Sequence, residues 1–350
     1  MFPVLHCNKN SLGANRLHFF PFINQVYNQK FYFPHMLQTL AQSNIYTVDA
    51  LYYESELASI HLIRSKDRVA IIDTGTQYSV PQVKSALDEL GLSFANVDLV
   101  ILTHIHLDHA GGAGALMGLC DNAQLVVHPK GARHMADPAK LVAGATAVYG
   151  EAQFQKLYGE ILPIAASRMI EPTDGQTIDF AGRPLLFLDS PGHASHHHCI
   201  YDEQSNSVFT GDTLGLSYKA LRTQNHAYMM PTTTPVQFNP EALHASIDKV
   251  MQLNPEILYL THYSAVRPTS RNIAGLHEQI EDFIGLTAQA AELDGDLESN
   301  LASSLTEYAV QRALNELDGI DETIIRHWLK LDAGLNAQGL AFWWNHRRQA

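Results

Sequence analysis

Three observations predict a mixed α/β fold followed by an all-helical C-terminal region. Apolar runs of strand length recur from residue 46 to residue 261, helical spacing separates several of them, and beyond Arg267 only helical patterns remain. In chain order, residues 46–53 and 57–64 read as strands, and Arg68 to Asp73 is an apolar run ending in Asp-Thr-Gly. Val80, Val83, Leu87 and Leu90 then give a helix over 80–91 stopped by Gly91. Val97 to Thr103 is a buried strand. Further strands are expected at 124–128, 183–189, 197–202, 207–211 and 256–261, with helices at 129–136, 139–159 and 241–253. Three long helices follow, near 270–293, 300–317 and 321–346, with Gly295 and Gly319 near the breaks. Residues 1–35 lack periodicity and are expected to be an extension outside the core, while Met36 to Gln42 shows helical spacing. The predicted division is therefore 1–35, 36–267 and 268–350.

At 350 residues the chain can bury a large core, and 46% hydrophobic with 17% charged residues is a globular composition. A net charge of −13 and no basic stripe argue against a nucleic-acid surface. Cys7, Cys120 and Cys199 fit neither a disulfide framework nor a zinc knuckle, so a reducing cytoplasm is the expected location. No apolar window reaches the roughly 18 residues of a membrane helix, and no cleavable leader opens the chain, so a soluble, unprocessed protein is expected. Nothing in the sequence bears on oligomeric state.

The strongest chemical signal is Thr103-His-Ile-His-Leu-Asp-His-Ala-Gly-Gly112, which puts His104, His106, Asp108 and His109 within six positions at a strand end. A loop leaving the strand can aim His104 and His106 at one point and Asp108 and His109 at a neighbouring one, while the glycines let the next helix pack close. Left unligated, each buried polar group would cost on the order of 1–3 kcal/mol. Three more strand ends present His193, Asp212 and His262. Four such ends in one chain predict two adjacent metal sites.

In this order of residues, Asp73, His104 to His109, His193, Asp212 and His262, the chain resembles the metallo-β-lactamase superfamily over roughly 45–265. The resemblance implies a four-layer αββα sandwich. It further implies that His104, His106 and His193 hold one metal, that Asp108, His109 and His262 hold a second, that Asp212 bridges them, and that Asp73 supports without ligating. Two divalent ions are implied. Zinc suits these imidazole and carboxylate donors best, and iron or manganese is tolerated. Such a pair, roughly 3.5–4 Å apart, holds a hydroxide and polarises the substrate oxygen. Asp108 and Asp212 thus carry the catalytic role.

Rival signatures fail. There is no GxSxG elbow, Ser246 to Lys249 matches SxxK without its companion motifs, and Gly112 to Gly118 misses the dinucleotide fingerprint by one position. Of His196, His197 and His198, alternation lets one approach the site as a supporting group. His61, His128, His134, His226, His244 and His277 read as packed or solvated.

The motif also resembles the glyoxalase II and quorum-signal thioesterase and lactonase branch, although no basic cluster matches a glutathione site. That branch implies hydrolysis of a thioester, ester or lactone of a small molecule with an acyl or aromatic group. Tyr149, Tyr218, Tyr228, Met229 and Met230 are candidates for an apolar cleft wall, with core packing as the alternative. Two other classes fit the same residues, a mononuclear iron persulfide dioxygenase and a regulatory binding protein with incidental hydrolysis.

Overall fold

The computed structural model describes residues 37–40, 43–233 and 236–347, all within one compact unit. Its two sheets follow the same rule of short, apolar strands laid side by side in chain order. Strands β1 (Leu37–Leu40), β2 (Ile45–Asp49), β3 (Ser59–Ser65), β4 (Arg68–Ile72), β5 (Val97–Ile101), β6 (Gln124–Val126) and β7 (Met169–Ile170) lie side by side in chain order. The first four pair antiparallel, and β4 to β7 run parallel. The second sheet has the order β13-β12-β11-β10-β9-β8, formed by β8 (Thr177–Phe180), β9 (Arg183–Asp189), β10 (His198–Asp202), β11 (Ser207–Gly211), β12 (Ile257–Leu260) and β13 (Ser264–Val266).

Alternation puts one apolar row of each strand between the sheets. Ile45, Ile63, Ala70, Ile72, Leu99, Ile101 and Val126 of the first sheet interdigitate with Phe180, Leu185, Phe187, Ile200, Phe209 and Tyr259 of the second. Helices cover the outer faces, as the parallel β4–β5–β6 crossovers require. They are α1 (Val80–Glu89), α2 (Leu107–Ala110), α3 (Ala113–Leu119), α4 (Pro129–Ala136) and α7 (Pro240–Met251). The expected αββα sandwich is what forms.

Three expectations are corrected. Met36 to Gln42 was expected to be helical, but Leu37–Leu40 pairs with β2 in the register Leu40↔Ile45, so ladder hydrogen bonds override a weak helical spacing. The helix expected over 139–159 is two, α5 (Ala139–Tyr149) and α6 (Glu151–Leu157), because Gly150 takes φ 75 and breaks the ladder between them. The short strands β7, β8 and β13 were not anticipated. The expected extension 1–35 lies outside the described residues.

Beyond β13 come α8 (Ser270–Ala290), α9 (Leu297–Glu316) and α10 (Glu322–His346), started by Thr269, Asp296 and Asp321 as N-caps. They pack on the 216–233 segment. Gln279 donates to the Met229 carbonyl at 2.8 Å and Asn272 to that of Ala227 at 2.7 Å. Asn336 donates to the Pro231 carbonyl at 3.0 Å and accepts from the Thr233 N–H at 2.7 Å. No helix among the described residues is long and apolar enough to cross a membrane.

Candidate metal centre

Both sheets end their parallel central strands at the same edge, and the chain turns sharply there. After β4, Asp73 adopts φ 55, which short polar Asp tolerates. After β5 the chain runs Leu102-Thr103-His104 into the four-residue helix α2, with His106 as its N-cap, so His104 and His106 precede the turn while Asp108 and His109 lie on it. Gly112 makes the close approach possible, since a Cβ there would meet the carbonyls of Thr76 and Thr74 at 2.6 and 2.7 Å.

The seven predicted donors come together. His104, His106 and His193 form one group, Asp108, His109 and His262 another, and Asp212 joins His104 and His109 in a third, each with donor atoms within 4.8 Å of one another. His104 Nε2 lies 2.7 Å and His193 Nε2 3.1 Å from His106 Nδ1. His262 Nε2 and His109 Nε2 stand 3.4 and 3.6 Å from Asp108 Oδ2. Asp212 reaches both groups, with Oδ1 at 3.3 Å from His109 Nε2 and Oδ2 at 3.4 Å from His193 Nε2.

An acceptor behind three of the rings fixes which nitrogen turns inward. His262 Nδ1 donates to the Leu57 carbonyl at 2.8 Å, and His193 Nδ1 lies 3.2 Å from that of Thr232. His109 Nδ1 is 2.9 Å from Asp73 Oδ2. Asp73 also accepts from the Thr103 N–H and from the hydroxyls of Thr103 and Thr261, the residues just before His104 and His262. Thus the Asp73 carboxylate ties the two ligand-bearing loops after β5 and β12 together without facing the centre.

His197 is the one of the three consecutive histidines that supports the site. Its Nε2 accepts from the Asp212 N–H at 3.1 Å and its Nδ1 contacts the Ser190 hydroxyl at 2.9 Å. Gly211 lets it in, because a Cβ at φ 48 would lie 2.5 Å from that Nε2. His198 instead bonds the Leu102 carbonyl at 2.7 Å.

Electrostatics separate the two groups. Burial and the neighbouring imidazoles hold His104 and His106 well below the usual histidine range, and burial lowers His193 despite Asp212. Burial also opposes a charge on His262, yet Asp212 and Asp108 overcome it and lift its pKa to about 9. His109 rises for the same reason. Burial works against the Asp108 carboxylate, but His109 and His262 outweigh it and hold it below the ordinary range.

Does a metal fit here? Two fully buried atoms, His109 Nε2 and Asp212 Oδ1, make no hydrogen bond although they sit 3.3 Å apart. Unsatisfied buried polar atoms of this kind, converging with other donors, call for a cation. The donors contain no thiolate. Burial pushes the Cys120 and Cys199 thiols up to about 12 and about 11, so neither is a nucleophile.

The wall of the centre is aromatic and was only partly foreseen. Leu107, between two donors, packs with Phe154, Tyr158 and Ile161 from the α5–α6 segment, and Tyr52 and Tyr149 join them. The Tyr52 and Tyr158 hydroxyls are 3.0 Å apart, and the Asp108 charge reaches Tyr52, Tyr149 and Tyr158. Tyr218 packs against Trp328 with ring centroids 4.9 Å apart and planes tilted by 40°, and it donates to Asp332 Oδ2 at 2.8 Å. Asp332 is pushed up to about 6, chiefly by burial, and also feels His262, Asp212 and Asp108. Tyr228, Met229 and Met230 are fully buried against the helical region, which favours the packing alternative for them. Tyr52, Tyr158, Trp328 and Asp332 carried no signal in the sequence beyond residue type.

The family model of the metallo-beta-lactamase superfamily matches residues 56–262, more than half of the chain. The metallo-beta-lactamase fold-containing protein ST1585 of Sulfurisphaera tokodaii is 25% identical over 217 residues, covering 61% of this chain and 75% of that protein. Its crystal structure, at 21% identity, superposes with a TM-score of 0.59 over 85% of this chain and 98% of that one. An acyl-coenzyme A thioesterase, MBLAC2 of Gallus gallus, is 26% identical over 192 residues, 49% of this chain and 63% of the enzyme. The hydroxyacylglutathione hydrolase of Aeromonas hydrophila is 28% identical over 174 residues, 48% and 53% respectively, so the chain spans less than two thirds of either enzyme's length. With the family's domain spanning the same strand ends that converge on the seven donors, the chain belongs to the metallo-beta-lactamase superfamily.

Proposed function

We propose that this protein is a metal-dependent hydrolase that holds two divalent ions, zinc by donor chemistry, and cleaves a thioester, ester or lactone of a small molecule. The observation that carries this reading is the pair of converging donor groups joined by Asp212, with buried polar atoms of His109 and Asp212 that make no hydrogen bond. His104, His106 and His193 would hold one ion, Asp108, His109 and His262 the other, and Asp212 would touch both. Bound there, the ions supply activated water as nucleophile and polarise the substrate carbonyl. The chain's own residues do the rest. Asp212 sets the spacing of the two groups, Asp73 and His197 fix its neighbours, and Asp108, with 22% of its side chain exposed, faces the cleft where substrate enters.

An acyl thioester is the favoured substrate class. The tyrosines at 52, 149 and 158, with Trp328, form a wall suited to an acyl or aromatic group, and of the two enzymes above one is by name an acyl-coenzyme A thioesterase and the other a hydroxyacylglutathione hydrolase. We further assign residues 36–267 to the catalytic unit and 268–350 to a helical region that closes the cleft through Trp328 and Asp332. Buried, unpaired Cys120 and Cys199 agree with a cytoplasmic location.

The test is metal quantification on untagged protein followed by a screen over acyl thioesters, lactones, phosphodiesters and β-lactams. Two ions per chain with thioester turnover is the expected result. A stoichiometry fixed at one, with oxygen uptake on a persulfide, would replace the hydrolase with the dioxygenase.

A further inference from the structure

Helix α7 presents His244 and Asp248 one turn apart, and α8 presents His277 and Glu281 in the same way. The two pairs cross. His244 Nε2 bonds Glu281 Oε1 at 2.9 Å, while His277 Nε2 faces Asp248 Oδ1 at 3.2 Å. The rings stack with centroids 4.9 Å apart and planes 11° from parallel. A carboxylate only accepts, so His244 turns its N–H outward at Nε2 and leaves a bare lone pair at Nδ1, and the nearby Asp248 carboxylate favours the same state in His277. Yet the two Nδ1 atoms lie 2.6 Å apart. Two lone pairs at that distance repel unless a cation lies between them.

The cation is either a proton or a metal ion, and local charge decides. The recess around the pair is lined by Glu278, Glu281 and Asp282, and Asp248 adds a fourth carboxylate. One guanidinium, Arg312, answers them from Glu278 and Asp282. A proton leaves more of that negative charge unbalanced than a divalent ion does. The approach of the rings also suits an ion, since two imidazole nitrogens on a tetrahedral zinc stand roughly 3.3 Å apart, an opening of under an ångström for side chains only 24% and 28% exposed.

We propose that His244 and His277 form a second metal site, separate from the catalytic centre, that takes a divalent transition-metal ion such as Zn²⁺ between α7 and α8. Neither residue belongs to the donor groups of the catalytic centre, and no third protein donor joins them among the described residues. Water therefore completes the coordination, and the ion exchanges readily. Its place gives it a mechanical role. It fastens the first helix of the C-terminal region to α7, whose Leu243 backs Gly192, the residue before His193.

The experiment uses full-length protein with its catalytic centre loaded, dialysed against buffered Zn²⁺ near neutral pH, and counts metal in wild type, His244→Gln and His277→Gln. Each variant is expected to hold one zinc fewer than wild type with unchanged turnover, whatever the occupancy of the catalytic centre. Added zinc should raise the melting temperature of wild type and of neither variant. Equal zinc in all three proteins would overturn the site, as would a histidine NMR titration in which the two rings respond to pH and not to zinc. Should a variant fold poorly, that titration on wild type decides alone.

Discussion

His104, His106 and His193 meet as three imidazoles, whereas Asp108, His109 and His262 bring a carboxylate of their own. The first triad is neutral by construction, because burial and mutual repulsion keep its rings unprotonated. The second is charge-compensated, because carboxylates raise His262 and His109. A metal entering the first triad meets open lone pairs. One entering the second must displace a proton, so the two should differ in how acidity governs them.

The strongest way to break this comparison is to remove the residue the triads share. Asp212→Ala should lower kcat at least about a thousandfold and reduce metal content, since spacing and charge fail together. Circular dichroism must show a folded protein; a folded variant with two ions and near-normal turnover would sink the bridging role. A pH series on metal-free protein comes next. The raised pKa of His262 means that its contribution to stability is complete below the unfolded value of about 6.5 and is lost as pH rises through about 9. The loss is on the order of 3 kcal/mol. Melting of metal-free wild type should therefore fall relative to His262→Gln across that window, and parallel curves would show that the carboxylates do not charge the ring.

Asp73→Asn sharpens the contrast further. It weakens the hold on His109 while leaving His106 and His193 untouched, so metal affinity of the second triad should drop about 10- to 100-fold, with a smaller change in the first. Equal losses at both, by stepwise titration, would erase the difference between them. The smallest effect should come from the wall. Trp328→Ala is expected to raise KM for a long acyl thioester by less than about tenfold while metal content and kcat hold, a change of roughly 1.4 kcal/mol at most. If kcat falls instead, Trp328 acts on the centre rather than on the acyl group.

The triads were legible because their chemistry is dense or punctuates an apolar run. Four donors in six positions cannot be a solvated face, and His193, Asp212 and His262 each follow a strand that ends abruptly. The wall was not legible for the opposite reason. Asp332 lies on a helix whose spacing does not set it apart, so nothing but tertiary packing distinguishes a half-buried carboxyl from a solvated one. Tyr52 falls within the strand expected over 46–53, but β2 ends at Asp49 and the bend beyond it sets where the ring points. The strand at Leu37–Leu40 exists through its pairing partner and not through its own spacing.

The seven donors are divided between the halves of the sandwich. His104, His106, Asp108 and His109 follow β5 of one sheet, whereas His193, Asp212 and His262 follow β9, β11 and β12 of the other. Each triad takes members from both, so the first is complete only after β9 has been made and has docked, and the second only after the last central strand, near residue 260, has done so. A ribosome-bound chain that has emerged only as far as residue 180 offers at most four of the seven. Firm metal capture is then a late event of biogenesis, and the ions act as a latch that closes on the finished sandwich rather than a seed around which it grows.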